Sequence, residues 1–179
     1  PPRRVGRAAG EVAAYRGRHR KHGQHKPVFE LAFRWLEQNL PAPRERLSLV
    51  HGDFRHGNLM IGTDGLRGVL DWELAHLGDP MEDLGWICVN SWRCGQLDKP
   101  VGGFGTREQL FEAYEAAGGA KVNPEEVRFW EVLGTLKWGV MCDSMAYAFL
   151  AGERNVERAA VGRRSSETEI DLLNLLAPR

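Results

Sequence analysis

A histidine, an aspartate and an asparagine follow one another at fixed spacing early in the chain. His51, Asp53 and Asn58 fit the pattern H-x-D-x-x-x-x-N, and Asp71 follows thirteen residues after the asparagine. Phosphoryl transfer uses this set of groups, namely one carboxylate for the proton of an acceptor hydroxyl, then an amide and a carboxylate for Mg²⁺. We therefore take this stretch as the candidate chemical centre of the chain.

Three carboxylates and one amide have expected roles that follow from their charge. Asp53 can accept the proton of a substrate alcohol, or orient that alcohol for in-line attack on a γ-phosphate. Asn58 and Asp71 offer hard oxygens, which suit Mg²⁺ that bridges nucleotide phosphates. Glu73 is a candidate for a further Mg²⁺ position, either directly or through water. The predicted metal ligands are therefore Asn58, Asp71 and Glu73.

Two basic side chains complete the candidate centre. Arg55 stands two residues after the expected base, and we expect it to neutralise charge on the transferring phosphoryl group. His51 is expected to organise the loop rather than to act as a base. The sequence thus assigns catalysis to Asp53 and Arg55 and assigns structural support to His51.

The residues around this centre predict the elements that position it. Strand-like apolar runs occupy residues 47–50 and 58–61, so that the motif lies in the loop between them. The turn residues 63–65 then lead into a third run at residues 66–70, which ends at Asp71. The expected result is a small β-hairpin at the catalytic edge.

Three stretches of the chain resemble the aminoglycoside phosphotransferase and choline kinase group. They are His51–Met60, Val69–Glu73 and Gly78–Leu84. Within this group, the chain most resembles the phosphotransferase-like domains also found fused to acyl-CoA dehydrogenases. The segment Phe33–Pro41 and the tryptophan-rich helix from Phe129 onward fit that branch too. The resemblance covers roughly residues 27–176.

This resemblance implies a protein-kinase-like fold, ATP as cosubstrate, Mg²⁺ and a small-molecule hydroxyl acceptor. It matches Asp53 to the catalytic aspartate of the family and matches Asn58 and Asp71 to its metal ligands. It also implies that Asp83 is a buried support that hydrogen-bonds the catalytic loop. His56 stands where many relatives have proline or another residue, so the resemblance gives it no role.

Kinase-like enzymes hold ATP between two lobes, and the smaller lobe brings a glycine-rich loop and a strand lysine. Only fifty residues precede His51, and Lys21 and Lys26 lie in a basic stretch without a strand pattern. No cofactor-binding residue can be identified there. The chain also begins with Pro1 and Pro2 rather than with methionine. We therefore expect the C-terminal lobe of a longer protein, with a nucleotide-binding lobe missing.

The rest of the chain predicts helices. Apolar periodicity and capping residues predict them from Pro27 to Pro41, from Asp79 through about Trp92, from Thr106 to Gly118, from Asn123 to about Leu150, and around Ile170–Leu176. The expected fold class is α+β and mostly helical. We expect it to form the C-terminal lobe of a protein-kinase-like fold.

Charge and composition indicate a cytoplasmic globular protein. The 179 residues are 42% hydrophobic and 27% charged, with a net charge of zero. Residues 3–26 hold eight Lys/Arg against Glu11 alone, which gives +7 and leaves −7 for the remainder. We expect residues 1–26 to form a basic arm or hinge segment and residues 27–179 to form the lobe.

The expected partners of the chain follow from the same features. Three cysteines without a C-x-x-C pair indicate free thiols in a reducing cytosol. No apolar run has membrane-spanning length, and no base-reading or stacking motif accompanies the basic arm. We therefore expect no membrane and no nucleic-acid partner. An exposed interface for the missing lobe would favour self-association.

Two functions from different classes remain open at this stage. The first is an ATP- and Mg²⁺-dependent phosphotransferase that moves a γ-phosphate to a hydroxyl of an aminoglycoside-like sugar, an amino alcohol or a hydroxyacyl thioester. The second is a non-catalytic kinase-like binding module that recognises a metabolite or a partner protein. The presence of Asp53, Asn58 and Asp71 favours the phosphotransferase. The missing lobe favours inactivity of the isolated chain.

Overall fold

The computed structural model describes residues 6–22 and 25–177. Seven α-helices and four β-strands are found in these ranges, and the strands form two antiparallel two-stranded sheets. The helices are α1 Ala8–Lys21, α2 Pro27–Gln38, α3 Met81–Ile87, α4 Arg107–Ala116, α5 Pro124–Leu150, α6 Val156–Gly162 and α7 Ser165–Leu176, and the strands are β1 Ser48–Val50, β2 Leu59–Gly62, β3 Gly65–Val69 and β4 His76–Gly78.

The chain divides into two compact units. One unit consists of residues 41–131 together with residues 6 and 7, and the other consists of residues 8–40 and 132–177. Every residue of the candidate chemical centre lies in the first unit. The predicted division at residue 26 is a different one and stays a prediction.

Both sheets of the first unit frame the candidate loop. Strand β1 pairs with β4, with Val50 opposite His76, while β2 and β3 form the predicted hairpin, with Leu59 opposite Val69. The three expected strands are therefore confirmed within one or two residues. Strand β4 was not predicted, because it is only three residues long and its partner lies far back in the sequence.

Helix α3 begins and ends where side chains replace backbone hydrogen bonds. The Asp79 carboxylate accepts the Met81 N–H at 3.0 Å, as the predicted cap requires. The prediction that this helix continues to Trp92 is wrong, since α3 ends at Ile87. Its end is stabilised by Arg93, whose Nη2 and Nε donate to the Cys88 carbonyl at 2.6 and 3.1 Å and so replace the next helical turn.

Helix α4 begins at the predicted capping box. Gln109 N–H donates to the Thr106 hydroxyl at 3.3 Å, and the Gln109 side-chain oxygen accepts the Thr106 N–H at 3.0 Å. Farther along, Glu131 of α5 is only 2% exposed and is paired with Arg93 and Arg107, at 2.9 and 2.8 Å. This pairing satisfies a carboxylate that would otherwise be costly to bury.

Gly85 in α3 lies against the first part of α5. A β-carbon at this position would come within 2.5 Å of the Trp130 β-carbon and 2.7 Å of the Glu131 backbone nitrogen. We expect Gly85→Ala to lower the free energy of unfolding by about 1–3 kcal/mol, because backbone atoms cannot yield as side-chain tips do. Urea denaturation would measure this change.

Gly17→Ala is the matched control for this prediction. Gly17 is also helical, but no atom of the described residues outside its own helical turn lies within 4 Å of the position its β-carbon would take. That substitution should leave stability unchanged or raise it by roughly 1 kcal/mol, since alanine is the better helix former. Equal stability of the two variants would contradict the close approach of α3 and α5.

The second unit contains helices and no strand in its described residues. Helix α2 spans the predicted segment and buries Phe29 and Phe33. Close packing is possible at Gly139 of α5, whose β-carbon would lie 2.4 Å from the Thr168 hydroxyl of α7. Lys26 donates to Glu169 at 2.8 Å, which ties the start of α2 to α7.

Part of the expected basic arm is helical. Helix α1 buries Val12, Tyr15 and His19, whereas residues 1–5 and 23–24 of the arm lie outside the described residues. Within residues 6–22 and 25–177, no helix is long and apolar enough to cross a membrane.

Candidate active site

The candidate loop runs from His51 to Asn58, between β1 and β2. Its first turn depends on Gly52, which has a φ of +83° and lies so close to Leu74 that a β-carbon would be 2.8 Å from the Leu74 carbonyl oxygen. Only glycine has both the conformational freedom and the small size that this position needs. The loop ends in a one-turn 3₁₀ helix, His56–Asn58, which leads directly into β2.

The Asp53 carboxylate is held by three donors. Trp86 Nε1–H donates to Oδ1 at 2.8 Å and Asn58 Nδ2–H donates to Oδ2 at 2.8 Å. Arg55 Nε lies 3.2 Å from Oδ1 and 3.1 Å from Oδ2. These donors fix the orientation of the carboxylate. Asp53 is only half-buried, so the carboxylate remains accessible to a substrate.

Asn58 is 5% exposed and its amide nitrogen is fully engaged. Besides the Asp53 carboxylate, Nδ2 donates to the Asp53 backbone carbonyl at 2.9 Å. The Asn58 carbonyl accepts the Leu70 N–H at 2.8 Å, which joins the loop to the end of β3. Both amide hydrogens thus face residue 53, and the side-chain oxygen is the atom left for a metal ion.

Asp71 follows the end of β3 with a left-handed backbone. Its φ of +66° and ψ of +57° are rare for a residue with a β-carbon, although aspartate tolerates them better than most. The side chain is exposed. Because Leu70 is bonded to Asn58, the hairpin brings Asp71 to the strand end next to Asn58.

His51 connects the candidate loop to this strand end. The imidazole Nδ1 accepts the Asp53 N–H at 3.2 Å, so Nε2 must carry the proton that it donates to the Leu70 carbonyl at 2.8 Å. The His51 ring also contacts that of Trp72, with 4.6 Å between their centres. This neutral histidine bridges the backbone at Asp53 and the residue before Asp71.

Asp83 of α3 binds the start of the loop. Its carboxylate accepts the His51 N–H at 2.7 Å and the Gly52 N–H at 3.0 Å. Burial raises the pKa of Asp83, while the two backbone donors oppose that rise because they favour the charged form. The carboxylate thus fixes the two residues that precede Asp53.

Arg55 and Glu73 occupy different surroundings. The Arg55 guanidinium bonds Asp53 and lies 5.2 Å from the centre of the Trp92 ring. Glu73 is exposed in the one-turn 3₁₀ helix Trp72–Leu74. His56 is exposed, and its ring meets that of Phe104 edge-on at 5.8 Å.

Trp86 is the site residue that sequence reasoning missed. The sequence contains six tryptophans, and nothing in their spacing marks the one whose indole reaches Asp53. One signal was available, namely that Trp86 follows Asp83 by three residues and therefore shares its helix face. Sequence reasoning also assigned no role to His76, which is buried in β4 and lies 3.2 Å from the Glu82 carboxylate.

The residues present fit a magnesium ion that is shared with phosphates. The described residues contain no cluster of three or more His, Cys, Asp or Glu able to form a metal cage. Mg²⁺ bound together with nucleotides takes only one or two carboxylates from the protein, the remaining ligands being phosphates and water. Asn58 Oδ1 and the Asp71 carboxylate, with Glu73 nearby in sequence, provide hard oxygens of that kind.

The family model described as "APH: Phosphotransferase enzyme family" matches residues 1–130. The chain belongs to this phosphotransferase family. A solved structure from Ralstonia eutropha that carries the name of an aminoglycoside phosphotransferase superposes with a TM-score of 0.75 at 22% identity, over 96% of this chain and 55% of that chain. This likeness confirms the expected fold, the C-terminal lobe of a protein-kinase-like fold.

Curated relatives of this phosphotransferase-family chain are acyl-CoA dehydrogenase family members. Member 10 of Mus musculus is 43% identical over 65 residues, which are 35% of this chain and 6% of that protein. Member 11 of Pongo abelii is 26% identical over 144 residues, covering 75% of this chain and 18% of that protein. The chain spans less than a fifth of the length of either relative. The expected resemblance to domains fused to acyl-CoA dehydrogenases is confirmed.

Proposed function

We propose that this chain is the acceptor- and metal-binding lobe of an ATP- and Mg²⁺-dependent phosphotransferase that acts on a hydroxyl of a small molecule. The observation that carries the proposal is the pairing of Asp53 with Asn58. The amide nitrogen orients the carboxylate, and the amide oxygen is left for a metal ion. Family membership supports phosphoryl transfer as the reaction class.

The proposed reaction assigns one task to each residue. Asp53 orients the acceptor hydroxyl and takes its proton as the acceptor oxygen bonds to the γ-phosphorus. The bond from that phosphorus to the bridging oxygen breaks, and ADP leaves with the electron pair. Asn58 and Asp71 would hold Mg²⁺, which neutralises charge on the phosphates. Asp83 and His51 keep the loop in position.

Two features favour a hydroxyacyl thioester as the acceptor over a polycationic sugar. The relatives carry acyl-CoA dehydrogenase names, although those names describe proteins far longer than this chain. The loop at residues 93–105, which brings Phe104 to His56, has Asp98 against Lys99, while its Arg93 is paired with Glu131, so it offers no excess of negative charge. A sugar with several ammonium groups would need more acidic surroundings.

An acceptor panel tests this proposal directly. The complete protein would be incubated with Mg·ATP and, in turn, a hydroxyacyl-CoA, an amino alcohol and an aminoglycoside. Acceptor-dependent formation of ADP and of a phosphate ester, followed by ³¹P NMR, is the expected result with the thioester. Binding of an acceptor without any transfer would instead favour the binding module, an alternative that has some support because Arg55 already occupies both Asp53 oxygens.

We also propose that a nucleotide-binding lobe acts together with this one. Large apolar side chains are exposed on and beside the β2–β3 hairpin of the first unit: Met60, Ile61, Leu66, Leu70 and Trp72. Such exposure is typical of a surface that another protein segment covers. The chain has three free cysteines, namely Cys88, Cys94 and Cys142. Free thiols are typical of proteins in a reducing cytoplasm.

Residues 1–179 alone are expected to fold but to bind Mg·ATP poorly and to transfer no phosphate. The lobe would supply acceptor and metal groups, but none of the strands in its described residues carries a lysine for the phosphates, so electrostatic preorganisation would be incomplete. Titration calorimetry with Mg·ATP and a transfer assay would test this, and sedimentation velocity would detect self-association. Micromolar affinity for ATP with measurable transfer would show that residues 1–50 contain a nucleotide clamp.

A further inference from the structure

Helix α3 contacts the candidate loop through two side chains on one face. Asp83 and Trp86 are three residues apart, so their side chains point the same way. Asp83 binds the backbone N–H groups of His51 and Gly52, whereas Trp86 binds the Asp53 carboxylate itself, from Nε1 to Oδ1 at 2.8 Å. One helix thus fixes both the loop and the group expected to take the proton.

The Trp86 indole is held rigidly in place. It is 4% exposed and packs against Trp92, with 5.3 Å between the ring centres. The residue before it, Gly85, lies so close to α5 that a β-carbon there would come within 2.5 Å of the Trp130 β-carbon. An indole has a single donor whose direction follows from the ring plane, so a fixed ring means a fixed hydrogen bond.

Trp86 and Asn58 divide the two Asp53 oxygens between them. Trp86 donates to Oδ1 and Asn58 donates to Oδ2, which fixes a carboxylate torsion that is otherwise broad. Hydrogen bonds to a charged acceptor are also stronger where one partner is buried. Together with Arg55, whose Nε lies 3.2 and 3.1 Å from the two oxygens, this buried pair sets the carboxylate plane and with it the direction in which a hydroxyl can approach.

We propose that Trp86 is a positioning residue for phosphoryl transfer and acts through Asp53. This rests on the proposed function. Loss of the indole N–H leaves Oδ1 without its buried donor and lets the carboxylate turn, so the acceptor hydroxyl is no longer aligned. We expect kcat to fall roughly 10- to 100-fold, the size of effect that a displaced reacting group produces. KM for Mg·ATP should not change, because the indole N–H of Trp86 donates to Asp53 and not to Asn58 or Asp71.

The test uses three variants of the complete protein. Trp86→Phe removes the donor together with part of the ring. Site-specific replacement of Trp86 by 3-benzothienylalanine, in which sulfur takes the place of the indole N–H, removes only the donor. Trp130→Phe is the control, because Trp130 is also buried in the first unit and its Nε1 has no hydrogen-bond partner among residues 6–22 and 25–177.

The expected result is that the benzothienyl variant loses kcat, with KM for Mg·ATP and thermal midpoint unchanged, while Trp130→Phe keeps its kcat. A benzothienyl variant with normal kcat would overturn the positioning role, since shape alone would then suffice. A loss confined to KM would overturn it as well. In both cases the unaltered protein still transfers phosphate, so the proposed function survives, whereas no transfer by the unaltered protein with any acceptor removes both proposals.

Discussion

Asp71→Ala is expected to abolish turnover in the complete protein and to weaken the binding of Mg·ATP. Asp71 follows Leu70, which is bonded to Asn58 at the end of the hairpin, and its carboxylate would bind the metal that neutralises the phosphates. Such neutralisation is worth several kcal/mol in sites of this type. Steady-state kinetics and calorimetric titration with Mg·ATP, each over a range of Mg²⁺ concentrations, would measure both losses.

The left-handed backbone at Asp71 requires a second variant. Alanine at a φ of +66° adds strain of about 1–2 kcal/mol, which aspartate bears more easily and glycine avoids. Asp71→Gly therefore removes the carboxylate without adding strain and should be as inactive as Asp71→Ala. Asp64→Ala, in the exposed turn of the same hairpin, is the control and should keep normal turnover. Near-normal turnover by Asp71→Gly would remove Asp71 from the metal site.

The parts of the fold that the sequence predicted are those that depend on neighbouring residues. The capping box of α4 involves only the four residues from Thr106 to Gln109, and the hairpin joins β2 to β3 through a short turn. Helix α2 follows from apolar periodicity and a first-position proline. Local propensity and capping decide such elements, so a single sequence contains the information needed.

The parts that the sequence could not predict depend on contacts between distant residues. Trp86 and Asp53 are 33 positions apart, and Arg93 and Glu131 are 38 apart. Strand β4 is defined by its pairing with β1 rather than by its own residues. Side chains of this kind acquire their role only when the backbone has folded, which is why Trp86 could not be separated from the other tryptophans.

The position of the Arg55 side chain in the site also could not be predicted from the sequence. Its charge and its distance of two residues from Asp53 suggested a role on the phosphoryl group, and that assignment stays a prediction. In the structure its Nε lies between the two Asp53 oxygens. An arginine there is bonded to the carboxylate, and it must move aside if it is to meet a phosphate. Charge alone could not distinguish these two positions.

Asp53→Asn is expected to lower kcat by about 10²–10⁴-fold while leaving the affinity for Mg·ATP intact, because an amide can be placed like a carboxylate but cannot take a proton. The amide of residue 53 can still accept the Trp86 hydrogen bond. Asn58 loses its bond to the carboxylate oxygen but keeps the bond to the residue-53 backbone carbonyl at 2.9 Å, so its own oxygen still faces the metal position.

The nucleotide should therefore bind to this variant as to the unaltered protein, and only the proton-accepting step should fail. Single-turnover transfer and calorimetry with Mg·ATP would separate these two quantities. Asp64→Asn makes the same chemical change on an exposed turn and should alter neither. Unchanged kcat in Asp53→Asn, or a loss seen only in ATP affinity, would remove Asp53 from the catalytic role, because no step of proton transfer or acceptor alignment would then depend on its charge.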